Sequence, residues 1–214
     1  MFKPIHWKTL PRDFVVIQIG FALFGIAIAM LIHANLGTNP WVMLSVALSD
    51  IFGLSVGTIT VLVGFSVLAV ALLMRERVGW GTLGNILFIG PWTDLFLWLI
   101  PSVTDNWLLQ GAMLLGSILI MGIATGIYIG VNAGAGPRDT LMLAVQCSTG
   151  WSLRRARSTI ELCVFVAGWL LGGPFGIGTI VVALLIGPAV QWGFRLFNVE
   201  RAAPVVAERP FVNT

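Results

Sequence analysis

Charge is what this sequence has least of. Only 10% of its 214 residues are Asp, Glu, Lys or Arg, where a soluble domain carries about 25%. So little charge does not clothe the outer face of a water-soluble fold. Ligands for metals and groups for catalysis are scarce too. The two cysteines, Cys147 and Cys163, and the two histidines, His6 and His33, have no metal-ligand spacing. Both cysteines fall in or beside apolar segments and read as buried, inert thiols. No Ser-His pair, di-acid spacing or ATP-binding motif occurs. No enzyme is expected, with no catalytic residue, metal or cofactor, and no ATP-driven coupling within the chain. The excess of 12 basic over 9 acidic residues gathers at the ends of apolar runs. It sets topology there and is no nucleic-acid signal.

Hydrocarbon is what the chain has in abundance, 57% of its residues being hydrophobic. Apolar runs cover Phe14 to Ala34, Ser55 to Met74, Thr82 to Ile100, Gly111 to Val131, Ser158 to Leu171 and Gly178 to Phe197. Most approach the roughly 20 residues that a helix needs to cross about 30 Å of hydrocarbon. The first run is longer than the apolar core of a signal peptide and recurs later in the chain, so it counts as a span. The lipid bilayer is therefore the first partner implied.

The chain is a duplication. Shifted by 97 positions, residues 25–100 fall on 122–197 without a gap. Asn35 meets Asn132, Gly37 and Pro40 meet Gly134 and Pro137, and "IGP" at Ile89 meets "IGP" at Ile186. Gly, Pro and Asn in register are hard to obtain by chance even in an apolar sequence. Each half holds a long span, a short segment (Trp41 to Phe52, Arg138 to Thr149) and two further spans. At 1.5 Å per residue, each short segment covers about 18 Å, too little to cross.

Charge sets the orientation. With six crossings and the N-terminus inside, every Lys and Arg is cytoplasmic. The outer loops, Leu36 to Asn39, Pro101 to Asn106 and Gly172 to Gly176, then carry none. Eight crossings would put Arg75, Arg77 and Arg138 outside, against the positive-inside rule. The expected fold is an all-α polytopic membrane protein. Six transmembrane helices form two inverted three-helix repeats, each with a short re-entrant half-helix. Residues 1–13 are a cytoplasmic segment, 14–100 the first repeat, 101–110 an outer loop, 111–197 the second repeat and 198–214 a cytoplasmic tail.

The re-entrant segments begin at "GTNPW" and "GAGPRD", and two helix N-termini meeting at depth make an electropositive site. Asn35, Asn39, Trp41, Asn132, Arg138, Asp139, Thr140 and Glu161 are the expected substrate-binding residues. A second reading stands beside this one. Asp139 caps free N–H groups and Arg138 pairs with it or with Glu161, as glue between the halves. Glu161 likewise is either a salt-bridge partner of Arg157, at i, i+4 spacing, or a proton- or substrate-linked carboxylate. "GP" at Gly90 and Gly187 predicts kinks. Trp80, Trp92, Trp107, Trp151 and Trp192 read as interfacial anchors.

"LGTNPW", "GAGPRDTLM", "GWSLRRARSTIE" and "GWLLGGPFGIGTIVVALLIGP" resemble the YczE/YyaS/YitT-type bacterial integral membrane proteins over residues 14 to 197. The resemblance implies a bacterial cytoplasmic (inner) membrane location and a loosely permease-like character. The first-half motif of such proteins commonly reads Pro-Trp-Asp, whereas here Val42 follows Trp41. Two functions are carried forward. One is a small-molecule transporter or permease that binds a small, anionic solute between the half-helix N-termini. The other is an accessory or regulatory membrane protein whose polar centre is structural. A second copy of the chain or a separate subunit is a compatible partner for either.

Overall fold

The computed structural model describes residues 10–74, 76, 79–131, 134, 136–197 and 199. Asn132, the basic residues Lys3, Lys8, Arg75, Arg77, Arg201 and Arg209, and nearly all of both terminal segments lie outside these. Among the described residues the chain is entirely helical. Its helices are α1 (Leu10–His33), α2 (Pro40–Phe52), α3 (Val56–Leu73), α4 (Trp80–Leu99), α5 (Trp107–Gly130), α6 (Pro137–Thr149), α7 (Leu153–Leu170) and α8 (Ile177–Leu196). Adding 97 to both ends of α1, α2, α3 and α4 gives the ends of α5, α6, α7 and α8. The duplication seen in the sequence is thus a duplication of elements.

Helix ends follow local chemistry. Pro40 and Pro137 open the short helices, where a missing N–H costs nothing, so each starts one residue earlier than the sequence reading. Gly53 and Gly150 end them in the left-handed region, at φ 65° and 72°. α7 starts at Leu153, with Ser152 accepting the Arg155 N–H at 3.4 Å. The apolar run starts only at Ser158, because arginine interrupts it, while the span read from the sequence begins at Ser152, the residue that caps the helix. Arginine is nonetheless a good helix former, so Arg154, Arg155 and Arg157 ride on the helix. α1 likewise begins at Leu10 and takes in residues assigned to the N-terminal segment. α4 and α8 run on through Pro91 and Pro188.

Four helices, α1, α3, α5 and α8, are long and apolar enough to cross a membrane. α7 carries three arginines and Glu161, and α4 carries Asp94, Asn85 and three tryptophans, which keeps both out of that set. The surface is that of a membrane protein, with Leu73 84% and Leu184 70% exposed. Cys147 and Cys163 are exposed, contrary to expectation, because apolarity does not mark the interior where lipid accepts apolar surface. Trp107 and Trp151 are exposed as expected of anchors. Trp92 is not an anchor, since it donates to Gln18 Oε1 at 3.1 Å and stacks on Phe96.

α1 and α5 form the central pair, with α4 packed on α1 and α8 on α5. They run antiparallel, since Gly20 lies against Ala124 and Tyr128 while Gly116 lies against Met30. Ile17, Phe21, Ile28, Met121 and Tyr128 fill the core between them. Beyond this pair the halves exchange partners, α2 packing on α7 and α6 on α3. The turns before the short helices do the same. Gly37 (φ 100°) seats against Gly176 and Thr179 of the second half, and Gly134 (φ 140°) against Gly79 and Thr82 of the first. A Cβ at either turn would be strained and would meet backbone.

One contact breaks the likeness. α3 packs along α4, but α7 and α8 share no comparable interface. In the first half Gly57 sits on the Gly90 carbonyl, and Gly64 sits on Ile86. Asp94 holds the start of α3, accepting from Ser55 Oγ at 2.6 Å and from the Gly57 N–H at 2.7 Å. At the equivalent positions stand Arg154 for Gly57, Glu161 for Gly64 and Gln191 for Asp94. Residues with side chains thus stand at positions where the first half has glycine, and the Asp94 clamp has no acidic counterpart. Gly187, the counterpart of Gly90, has nothing within 4 Å of where a Cβ would be. Gly57→Ala is therefore expected to destabilise the protein by about 1–3 kcal/mol through overpacking. Gly187→Ala should stay within about 0.5 kcal/mol of the parent. Thermal unfolding in detergent reads both, and equal effects would contradict the asymmetric packing.

Candidate functional site

A cavity of about 400 Å³ lies where the two halves meet. Its wall is built largely from like positions of the two halves. Asn39 and Gly136, Trp41 and Arg138, Ser45 and Met142, Thr60 and Arg157, Gly64 and Glu161, and Asn85 and Val182 all line it. Trp41 and Arg138 also touch, the guanidinium carbon lying 4.8 Å from the ring centroid. Such a cation–π contact contributes about 0.5–2 kcal/mol according to how dry it is. Each of these two residues belongs to the first turn of its short helix. Side chains from the starts of α2 and α6 therefore meet inside the cavity, as the sequence reading required.

The two helix starts differ chemically. Asn39 Oδ1 accepts the Val42 N–H at 3.0 Å, so α2 is capped from within the chain. Gly136, at the same position before α6, has no side chain to do this. The expected pair of electropositive helix ends thus reduces to one, at α6. Polar groups gather around Gly136. A Cβ there would lie 3.5 Å from Asp139 Oδ2, 3.5 Å from Tyr128 Oη and 3.7 Å from Asn85 Nδ2. Glycine leaves a small polar cradle that any side chain would fill.

Arg138 and Asp139 form no ion pair with each other, and Arg138 forms none with Glu161. Among the described residues the ion pair is Arg157 to Glu161, Nε to Oε1 at 3.0 Å, with side chains 56% and 44% exposed. That pair satisfies the structural reading of Glu161, while both of its members still line the cavity. No set of three or more His, Cys, Asp or Glu side chains placed to hold a metal occurs among the described residues.

Of the expected site residues, Asn39, Trp41, Arg138, Asp139 and Glu161 line the cavity. Asn35 does not. It is exposed at φ 53° after α1, and its amide donates to the His33 and Val103 carbonyls, each at 3.3 Å. Its match to Asn132 in the repeat marks it in the sequence, whereas its amide holds the Val103 loop. Thr140 is 2% exposed and its hydroxyl donates back to the Gly136 carbonyl at 2.9 Å, so it braces the first turn of α6 away from the cavity. Asn132 lies outside the described residues. Tyr128 and Asn85 were missed. Each is polar where the other half is apolar, Tyr128 against Leu31 and Asn85 against Val182. That mismatch was the signal that could have found them.

Comparison with known proteins agrees with this architecture. A family of unknown function, DUF6198, matches residues 11–195. The uncharacterized membrane protein YczE of Bacillus subtilis is 31% identical over 202 residues, covering 89% of this chain and 93% of that protein. An uncharacterized protein of Haemophilus influenzae is 30% identical over 186 residues, covering 87% and 85%. The uncharacterized protein YyaS of Bacillus subtilis is 28% identical over 172 residues, covering 79% and 86%. No solved structure matches the chain. An all-helical chain with four membrane-length apolar helices and such relatives is a polytopic membrane protein, and it belongs to the DUF6198 family of YczE- and YyaS-like proteins.

Proposed function

We propose that the protein is a small-molecule transporter or permease of the bacterial inner membrane, holding an anionic group of its solute at Arg138. The observation that carries this is the cavity itself. Charged groups from α6 and α7 line a space at the junction of the halves, and Arg138 offers its guanidinium there against the Trp41 ring, with no ion pair to either of the nearby carboxylates Asp139 and Glu161. The start of α6 lacks an N-cap side chain, but Asp139 in its first turn already faces the Gly136 N–H, so the guanidinium of Arg138 is the group left to take the anion. Asp139, Tyr128 and Asn85 around Gly136 supply acceptors and donors to orient the rest of the solute.

Energetics favour a wet centre. An ionised side chain at mid-membrane costs about 2.5–3.5 kcal/mol on insertion scales. Two of them, Arg138 and Asp139 at the start of α6, would together cost roughly 5–7 kcal/mol. That is a large share of the stability of a typical domain, about 5–15 kcal/mol. No salt bridge between them offsets it, and water in the cavity does.

Six crossings, cytoplasmic termini and inverted halves complete the proposal. The antiparallel run of the equivalent helices α1 and α5 and the reciprocal packing of α2 on α7 and α6 on α3 support the inversion. Inverted repeats with sites at interrupted helices are a common transporter plan. The competing reading, an accessory protein with a structural centre, draws on the Arg157–Glu161 pair.

Two measurements separate the readings. In a Cys147→Ala, Cys163→Ala background, Asp139→Cys is expected to react with a small, polar thiol reagent and Thr140→Cys to stay unlabelled. An unreactive, folded Asp139→Cys would mean a dry centre and the accessory reading. Inorganic phosphate, sulfate or acetate at about 100 times its Kd should raise the midpoint of thermal unfolding by roughly 5–10 °C. Arg138→Gln should remove that shift, measured against the variant's own unliganded midpoint.

A further inference from the structure

The cavity has a side door. Arg157 and Glu161 line it from α7 and still keep 56% and 44% of their side chains exposed. Ala183 lines it from α8 and is itself exposed. One turn further along that face Gly187 is exposed, with nothing within 4 Å of a Cβ position. The equivalents of these α8 residues, Ile86 and Gly90, are buried against α3. Ala183 and Gly187 stand in the middle of a 20-residue apolar helix of membrane-crossing length. The opening therefore lies along the flank of the molecule, which faces hydrocarbon, and not at a helix end.

The lining is graded as well. Arg138, Asp139 and Tyr128 form a polar end. Along α8 the wall is apolar, with Ile186, Val190 and Phe194 turned to the cavity. A fully hydrated ion gains nothing from that wall. A molecule with a charged head and a hydrocarbon chain matches both parts.

We infer that the solute is an amphiphile with an anionic head, admitted from the bilayer between α7 and α8, its head at Arg138 and its chain along α8. This rests on the reading of Arg138 as the anion-binding group. The test is isothermal titration of the protein in nanodiscs with inorganic phosphate and with hexyl phosphate, for the parent and for Gly187→Trp. Ala183→Trp, on the same face, replaces Gly187→Trp if that variant does not fold. Hexyl phosphate is expected to bind the parent at least about tenfold more tightly than phosphate, a gain that about two buried methylenes supply. The Trp variant should lose that gain and keep its affinity for phosphate. Phosphate binding with no gain from the chain, or a gain that survives in the Trp variant, would overturn the inference and leave the anion site standing. Binding of neither probe would overturn the anion site, and the inference with it.

Discussion

Two helices approach until their backbones touch only where neither brings a side chain, and the contact of Gly57 with the Gly90 carbonyl is such a place. Around it the first half closes. Asp94 takes the hydroxyl of Ser55 and the N–H of Gly57, which ties the start of α3 to the flank of α4. Gly64 then rests on Ile86. With Arg154 and Glu161 where Gly57 and Gly64 would be, α7 has no surface of the same shape to offer α8. Two substitutions in a duplicated helix thus decide which pair of helices is sealed and which stands open. They also set the side from which the central cavity is reached.

The same substitutions decide where charge sits. Arg157 occupies the place of Thr60, Glu161 that of Gly64, Arg138 that of Trp41 and Asp139 that of Val42. All four charged positions belong to the second half, which is the half that does not close. A sealed helix pair around an ionised side chain would leave it both dry and short of partners, which is costly. Opening and charge therefore belong together: the charged groups stand in the half whose last two helices leave a gap. The first half answers with an aromatic surface, and Trp41 receives the Arg138 guanidinium across the junction.

Much of this was legible in the sequence, because membrane helices and duplications write themselves in long regular signals. The element bounds repeat at the spacing read from glycine, proline and asparagine in register. Glycine and proline mark turns and close contacts whatever lies around them. Arg138 and Asp139 were legible because charge is conspicuous in an apolar chain. What failed was fine placement. Asn35 shares its spacing with the true breaks, yet its side chain turns to the Val103 loop, and no one-dimensional pattern gives that direction. The cysteines looked buried because apolar flanks usually mean a core, a rule that lipid suspends. The gap between α7 and α8 was written in the alignment of the halves. Its meaning depended on knowing that Gly57 touches Gly90, a contact between residues far apart in the chain.

The asymmetry also limits how the molecule can move. In a machine built from equivalent halves, the simplest cycle has each half adopt in turn the packing of the other. Here that exchange is opposed in one direction. To lie on α8 as α3 lies on α4, α7 would have to bring Arg154 and Glu161 where α3 brings Gly57 and Gly64. Opening the first half would in turn require pulling Gly57 from the Gly90 carbonyl and breaking both hydrogen bonds to Asp94. Hydrogen bonds to a charged group are worth about 1.5–3 kcal/mol each, so the sealed state of α3 on α4 is favoured unless a ligand offsets several kcal/mol. A solute bridging Arg138 and Trp41 touches the starts of both short helices, and those helices pack on α3 and α7. Under the proposed function, binding energy delivered at that contact would reach both the sealed pair and the open one.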